Sequence, residues 1–245
     1  MKQTREEAHS TMADLDQPTI KRTDVDILLD TLTLHDKRVV DVGCGIGELT
    51  KRMGALGADV LGIDPNTKHI ATALANNEEN KGAFQVAAAE AIPLADDSAD
   101  IVIFFNSLHH VEPGNMDVAL DEAARVLKPG GELYLSEPMA AGSNFETMKL
   151  FSDESVVRNA AYDAMKRAIA AGKFEQIEEK VNVRPRTVEN FEIFCQGIVD
   201  GNPKRAALVD EKKNELRSLF EMHGRKIEDG YEFVRLTRIN YLRKV

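Results

Sequence analysis

The sequence predicts an α/β fold: a doubly wound, mostly parallel sheet with helices on both faces. Two observations carry the prediction. Short apolar runs alternate with longer segments of helical spacing through the middle of the chain, and the first run passes directly into a glycine-rich turn and another helical segment. Parallel neighbours need such crossovers, which are right-handed in nearly every case.

In chain order, strands are expected at 38–42, 59–63, 83–87, 100–105 and 132–136. Helical spacing marks 48–56, 67–77 and 116–127. Asn115 is the expected N-cap of the last, and Lys128-Pro129-Gly130-Gly131 its stop. After Pro138 the pattern becomes helical. Ser143-x-x-Glu146 has capping-box form, the following run ends near Gly172, and Asn202-Pro203 opens a helix expected to reach Met222 before Gly224. Two further strands are expected at 173–183 and 231–241. The expected organisation is an N-terminal helical segment (1–36), a ligand-binding core (37–138), a helical lid with one core strand (139–225) and a final sheet strand (226–245).

Composition narrows the function. With 245 residues, 43% hydrophobic and 29% charged, the chain can bury a sizeable core, and no apolar run exceeds Ile101–Phe105, so no membrane span is expected. The amino terminus shows no apolar signal region, and two cysteines cannot build a disulfide framework, which points to the cytoplasm. Residues 1–140 carry 12 basic and 24 acidic side chains. So acidic a half would repel a phosphate backbone, and nucleic acid is not the expected partner.

The strongest local signal is Val39-Val40-Asp41-Val42-Gly43-Cys44-Gly45-Ile46-Gly47-Glu48-Leu49. Its glycines let a ligand approach the backbone at the carboxyl edge of the sheet. The spacing is G-x-G-x-G, whereas a dinucleotide site needs G-x-G-x-x-G. With Asp41 and Glu48 near the turn, a ligand with a cationic amino-acid end suits it better than a pyrophosphate. A second strand ends in Gly62-Ile63-Asp64, where a carboxylate can accept from a ribose diol. Ala88-Ala89-Glu90-Ala91 follows the third strand and Asn106-Ser107-Leu108-His109-His110 the fourth.

These motifs, with Val126-Leu127-Lys128-Pro129-Gly130-Gly131, closely resemble the class I S-adenosylmethionine (SAM) dependent methyltransferases, especially the group that includes ubiquinone/menaquinone-biosynthesis enzymes. The resemblance spans about residues 38–138. It implies a Rossmann-like sheet of seven strands with a helical lid, SAM as cofactor, and S-adenosyl-L-homocysteine as product. It also implies site roles: Gly43, Cys44, Gly45 and Gly47 under the methionine portion, with Asp41 near its amino group. Asp64, followed by Pro65, falls to the ribose, Ala89 and Glu90 to the adenine, and Asn106 to the floor beside the sulfonium. His110, at an offset similar to a catalytic histidine of phosphoethanolamine-type enzymes, and His109 beside it are candidate general bases.

Each residue also has a plainer reading. Asp64 could cap the next helix, Glu90 could be a solvated carboxylate, Cys44 a small buried residue, and the two histidines packing or substrate contacts. His109, His110 and Glu112 lack metal-ligand spacing, so no metal is expected. No Asn/Asp-Pro-Pro-Tyr/Phe follows the fourth strand and neither cysteine follows a proline. The expected function is therefore methyl transfer to a small-molecule acceptor, with a homodimer open as the assembly. The alternatives are a SAM-binding protein with another SAM-derived chemistry or none, and a nicotinamide-dependent dehydrogenase.

Overall fold

The computed structural model describes residues 22–77 and 81–245. Helix α1 (Asp24–Thr31) precedes β1 (Arg38–Val42), and the crossover pattern continues through α2 (Glu48–Ala55), β2 (Asp59–Asp64), α3 (Thr67–Ala75), β3 (Ala83–Val86), β4 (Ala99–Phe105), α4 (Met116–Val126) and β5 (Leu127–Pro138). Next come α5 (Ser143–Met148), α6 (Ser155–Ala170), β6 (Phe174–Val188), α7 (Phe191–Gly201), α8 (Ala206–Glu211), α9 (Lys213–His223), β7 (Arg225–Ile227) and β8 (Gly230–Lys244). The sheet order is β3-β2-β1-β4-β5-β8-β6, with β7 paired to β8. The links from β3 through β5 are parallel, and β8 is antiparallel to β5. The expected seven strands are thus joined by an eighth, the short hairpin arm β7.

Side chains alternate across the sheet with period two, which explains the apolar runs. Val39, Ile101 and Ile103 pack on one face with Leu28 and Met53 from α1 and α2. Val40, Val102 and Phe104 pack on the other with Ala119, Leu120 and Ala123 of α4 and Ala161, Ala164 and Met165 of α6. Each large apolar side chain buried this way contributes roughly 1.5–3 kcal/mol against exposure.

The chain divides into two compact units, each assembled from separated stretches of chain. The larger comprises Asp24–Ala140, Asp153–Val183 and Leu236–Val245. The smaller comprises, among the described residues, 22–23, Ala141–Ser152 and Arg184–Arg235. Helix α6 falls in the larger unit because its alanine face is buried in the same cluster as α4. Of the N-terminal segment 1–36, α1 is the helix among the described residues, and residues 1–21 lie outside them.

Within the smaller unit, Phe194 packs against Phe220 and Phe233 with ring centres 5.1 Å away. Asn190 caps α7 by accepting from Ile193 N–H at 2.9 Å; this helix was not foreseen from the sequence. Asn202 caps as expected, but it opens a 3-10 turn (Pro203–Arg205), and the helix expected to run on to Met222 is broken at Lys212. The capping box at Ser143 does not form. Ser143 Oγ accepts instead from Val234 N–H at 2.7 Å, while Glu146 pairs with Lys149. Asn115 likewise makes no side-chain cap and donates to Glu90 Oε1 at 3.1 Å.

Candidate active site

The expected residues collect where the parallel strands end. Gly43, Gly45 and Gly47 all have φ between 56° and 84°, a left-handed backbone that side chains with a Cβ rarely adopt. Their surroundings differ. A Cβ on Gly43 would lie 2.5 Å from Ser107 Cβ, and one on Gly47 would strike Phe84, so both are held by packing. A Cβ on Gly45 would meet nothing within 4 Å. Gly45 is the glycine that faces open space.

Asp64 ends β2 and is 7% exposed. Its Oδ2 accepts from Gly45 N–H at 3.0 Å, while Oδ1 accepts from Asn66 N–H at 2.8 Å and lies 3.3 Å from His69 Nδ1. It does not cap the following helix; Asn66 does, accepting from Lys68 N–H at 3.0 Å. Each carboxylate oxygen can accept twice, so Asp64 braces the glycine turn and keeps acceptor capacity. Pro65 is exposed beside it.

Asp41 is buried at the end of β1, where Thr50 Oγ1 donates to its Oδ2 at 2.6 Å. Burial pushes its pKa from an ordinary 3.8 to about 6; the Thr50 hydrogen bond opposes this and the Asp64 charge adds to it. The same burial, with Asp41 and Asp64 nearby, pushes the Cys44 thiol up to about 12, which makes it an inert neighbour of the turn. Asp41, Gly43, Cys44, Ile46 and Phe105 line a cleft of about 250 Å³ that Val25, Glu48, Leu49 and Arg52 complete. Val25 sits in the first turn of α1, whose Asp24 accepts from Asn182 Nδ2 at 2.6 Å and Thr237 Oγ1 at 3.1 Å.

Asn106 is exposed in the left-handed region, φ 53°, immediately after β4, and its N–H donates to Ser136 O at 2.8 Å. Ser107 Oγ donates to Val42 O at 2.6 Å, which fixes the ends of β1 and β4 together. Glu137, at the end of β5, organises the turn that leaves β4. Its Oε1 accepts from Ser107 N–H at 3.0 Å and Leu108 N–H at 2.8 Å, and its Oε2 pairs with His109 Nδ1. His109 is buried, whereas His110 is exposed with its ring centre 4.0 Å from that of His109. Although its surface is exposed, partial desolvation of the ring and the neighbouring His109 hold the His110 pKa below the usual imidazole value, with Arg158 adding to this and Glu154 and Glu137 opposing it. Sequence reasoning missed Glu137. Its signal was a carboxylate in Ser136-Glu137-Pro138, at the end of the strand beside β4.

Ala89 is buried and Glu90 half-buried in the loop after β3, as their placement on the same edge requires. Among the described residues, no group of three or more His, Cys, Asp or Glu side chains could hold a metal ion. A larger cavity, about 420 Å³, opens at the opposite edge between Lys37, Asp100 and Lys128. It lies at the amino ends of parallel strands, away from the edge where open α/β sheets bind ligands. The Lys128–Asp100 ion pair, 2.7 Å long, occupies its wall.

The donor set at the carboxyl edge suits SAM. Asp41 and Glu48 favour an ammonium group, and α2 has Gly47 at its N-cap with no side-chain cap, which favours a carboxylate beside it. The cleft is smaller than the roughly 300 Å³ at which whole-ligand pockets begin, so it fits the amino-acid end alone.

Comparison with known proteins agrees with this geometry. Residues 40–135 match the family model described as a methyltransferase domain. An uncharacterized methyltransferase of Mycobacterium bovis is 38% identical over 99 residues, covering 40% of this chain and 39% of its own. A ubiquinone biosynthesis O-methyltransferase of Agrobacterium fabrum is 29% identical over 127 residues, 51% of this chain and 50% of its own. The chain therefore spans half or less of the length of these relatives. A candidate methyltransferase of Bacillus halodurans superposes with a TM-score of 0.67 at 22% identity, covering 90% of this chain and 98% of that one. The sheet order and the solved structure it resembles define a Rossmann-like fold. More particularly, residues 40–135 of this chain resemble a methyltransferase domain.

Proposed function

We propose that this protein binds SAM at the carboxyl edge of β1, β2, β3 and β4 and transfers its methyl group to a small-molecule acceptor. The observation that carries the reading is the Gly45 turn, which has a left-handed backbone, open space where a side chain would stand, and an amide held by the buried Asp64. Asp41 and Glu48 would hold the amino group, Asp64 the ribose, Ala89 and Glu90 the adenine, and Asn106 the floor of the site. When bound, SAM supplies a methyl already activated on a sulfonium for in-line displacement. The chain then contributes alignment and exclusion of water, and orientation alone can be worth ~7–11 kcal/mol.

His110 is the proton acceptor in this reading whenever the methyl acceptor is protonated at working pH. Its lowered pKa leaves the neutral imidazole dominant at neutral pH. His109, with Nδ1 committed to Glu137, positions it. The acidic first half of the sequence supports a metabolite over nucleic acid as acceptor. Among the described residues no helix is long and apolar enough to cross a membrane. A cytoplasmic setting and selection of the acceptor by residues 139–225 belong to the same proposal.

Two measurements test it. Mass spectrometry of the denatured, freshly purified protein should release SAM or S-adenosylhomocysteine; a dinucleotide would sink the reading. Incubation with methyl-labelled SAM and a metabolite library should move label to a small molecule. Binding without any transfer would favour the alternative, a SAM-binding protein using another chemistry or none.

A further inference from the structure

The smaller unit holds an arginine whose charge no acidic side chain among the described residues neutralises. Arg186, on β6, is half-buried. Its Nη1 donates to Asn144 Oδ1 of α5 at 3.2 Å, and its guanidinium carbon lies 4.9 Å from the ring centre of Phe194 on α7. Gly197, one turn further along α7, leaves room for it: a Cβ there would come within 3.2 Å of Nη2. Among the described residues no Asp or Glu pairs with Arg186, while Arg217 and Arg225 of the same unit are matched to Glu192 and Glu232 at 2.9 and 2.6 Å. The charge that does act on Arg186 is Arg235, on the neighbouring strand β8.

Withdrawing a guanidinium from water beside a second positive charge opposes folding. One neutral amide acceptor and a ring contact, the latter worth roughly 0.5–1 kcal/mol at a partly exposed site, offset only part of that cost. The ring of Phe194 and the amide of Asn144 also fix the plane of the guanidinium, which leaves a rigid fork of donors of the kind that grips oxyanions bidentately. We propose that Arg186, seated on Phe194 and Asn144 with Arg235 beside it, is a binding site for the oxyanion group of a small molecule, a carboxylate or a phosphate. The inference does not rest on methyl transfer.

Calorimetry on the full chain decides it, with inorganic phosphate and succinate as probes and ionic strength held constant with sodium chloride. Saturable binding of at least one probe is expected, weakened tenfold or more in Arg186→Met and less in Arg186→Lys, which keeps the charge without the fork. Phosphate alone would assign a free or phosphoryl anion, succinate alone the acid group of an organic ligand, and both the shared chemistry. Arg186→Met should also melt no lower than the unsubstituted protein in anion-free buffer, because an apolar chain still covers Phe194 while an unpaired charge is gone. Absence of saturable binding, or equal binding in Arg186→Met, overturns the proposal. Should that variant not fold, loss of binding in Arg186→Lys upholds the site and undiminished binding overturns it. SAM affinity, measured separately, reports on the other site and is expected to be the same in both variants.

Discussion

The amide of Gly45 donates to Asp64 Oδ2 at 3.0 Å, so the carboxylate that ends β2 holds the turn that follows β1. A ligand lying over the turn and a ligand hydroxyl at Asp64 therefore depend on one another. A change at either end of this bond is felt at both.

Asp64→Ala is expected to weaken SAM binding by roughly 1–3 kcal/mol and to lower folding stability by a similar amount, because the Gly45 and Asn66 amides lose their acceptor. Asp64→Asn should fall between, since one oxygen remains. Calorimetry with SAM and urea unfolding separate the two effects. Full SAM affinity in a folded Asp64→Ala protein would leave the residue a brace for the turn and nothing more.

Gly45 and Gly43 should fail in different ways. Gly45→Val puts a branched side chain into open space at φ 56°, so SAM affinity is expected to fall by tenfold or more while the melting temperature drops only modestly. Gly43→Ala drives a methyl to 2.5 Å from Ser107 Cβ and should chiefly destabilise the fold. Equal loss of stability in both variants would show that Gly45 is as enclosed as Gly43.

Asp41 makes both folding and binding depend on pH. Its folded pKa, about 6, is above the ordinary 3.8, so the folded state holds a proton that the unfolded chain has lost, and stability falls as pH rises from about 4 to 6. The whole contribution is at most about 3 kcal/mol. An ammonium group binds the ionised carboxylate, so SAM affinity should rise with pH through about 6. Asp41→Asn keeps an oxygen for Thr50 and should abolish both slopes. A SAM affinity flat between pH 5 and pH 7 in the unsubstituted protein would separate Asp41 from the ligand.

Glu137 serves three donors at once, so Glu137→Ala should cost roughly 2–4 kcal/mol in urea unfolding, through unsatisfied amides and an unpaired buried imidazole. Glu137→Gln retains one oxygen for the amides but changes the group facing His109. Nitrogen-15 spectra of His109 should then report a different tautomer, and the His110 pKa should move with it. An unchanged His109 spectrum in the Gln variant would mean that the carboxylate does not set the ring.

The sequence alone determined the sheet's first five strands and the polar residues at their carboxyl ends, because side-chain alternation and glycine's left-handed backbone are local constraints. Val39 and Val40 had to face opposite ways, and Gly43, Gly45 and Gly47 could take a conformation closed to other residues. Tertiary structure decided what depends on partners distant in the chain. Ser143 looked like a cap, yet its hydroxyl serves Val234; Asn115 looked like one too, yet it serves Glu90. Helix α6 looked like part of a lid, yet its alanines are buried with α4. Glu137, unremarked in the sequence, fixes a turn about thirty residues earlier because β5 lies beside β4. In each case the side chain's partner lies in another element, and the order of strands and the packing of helices, not the local segment, brought the two together.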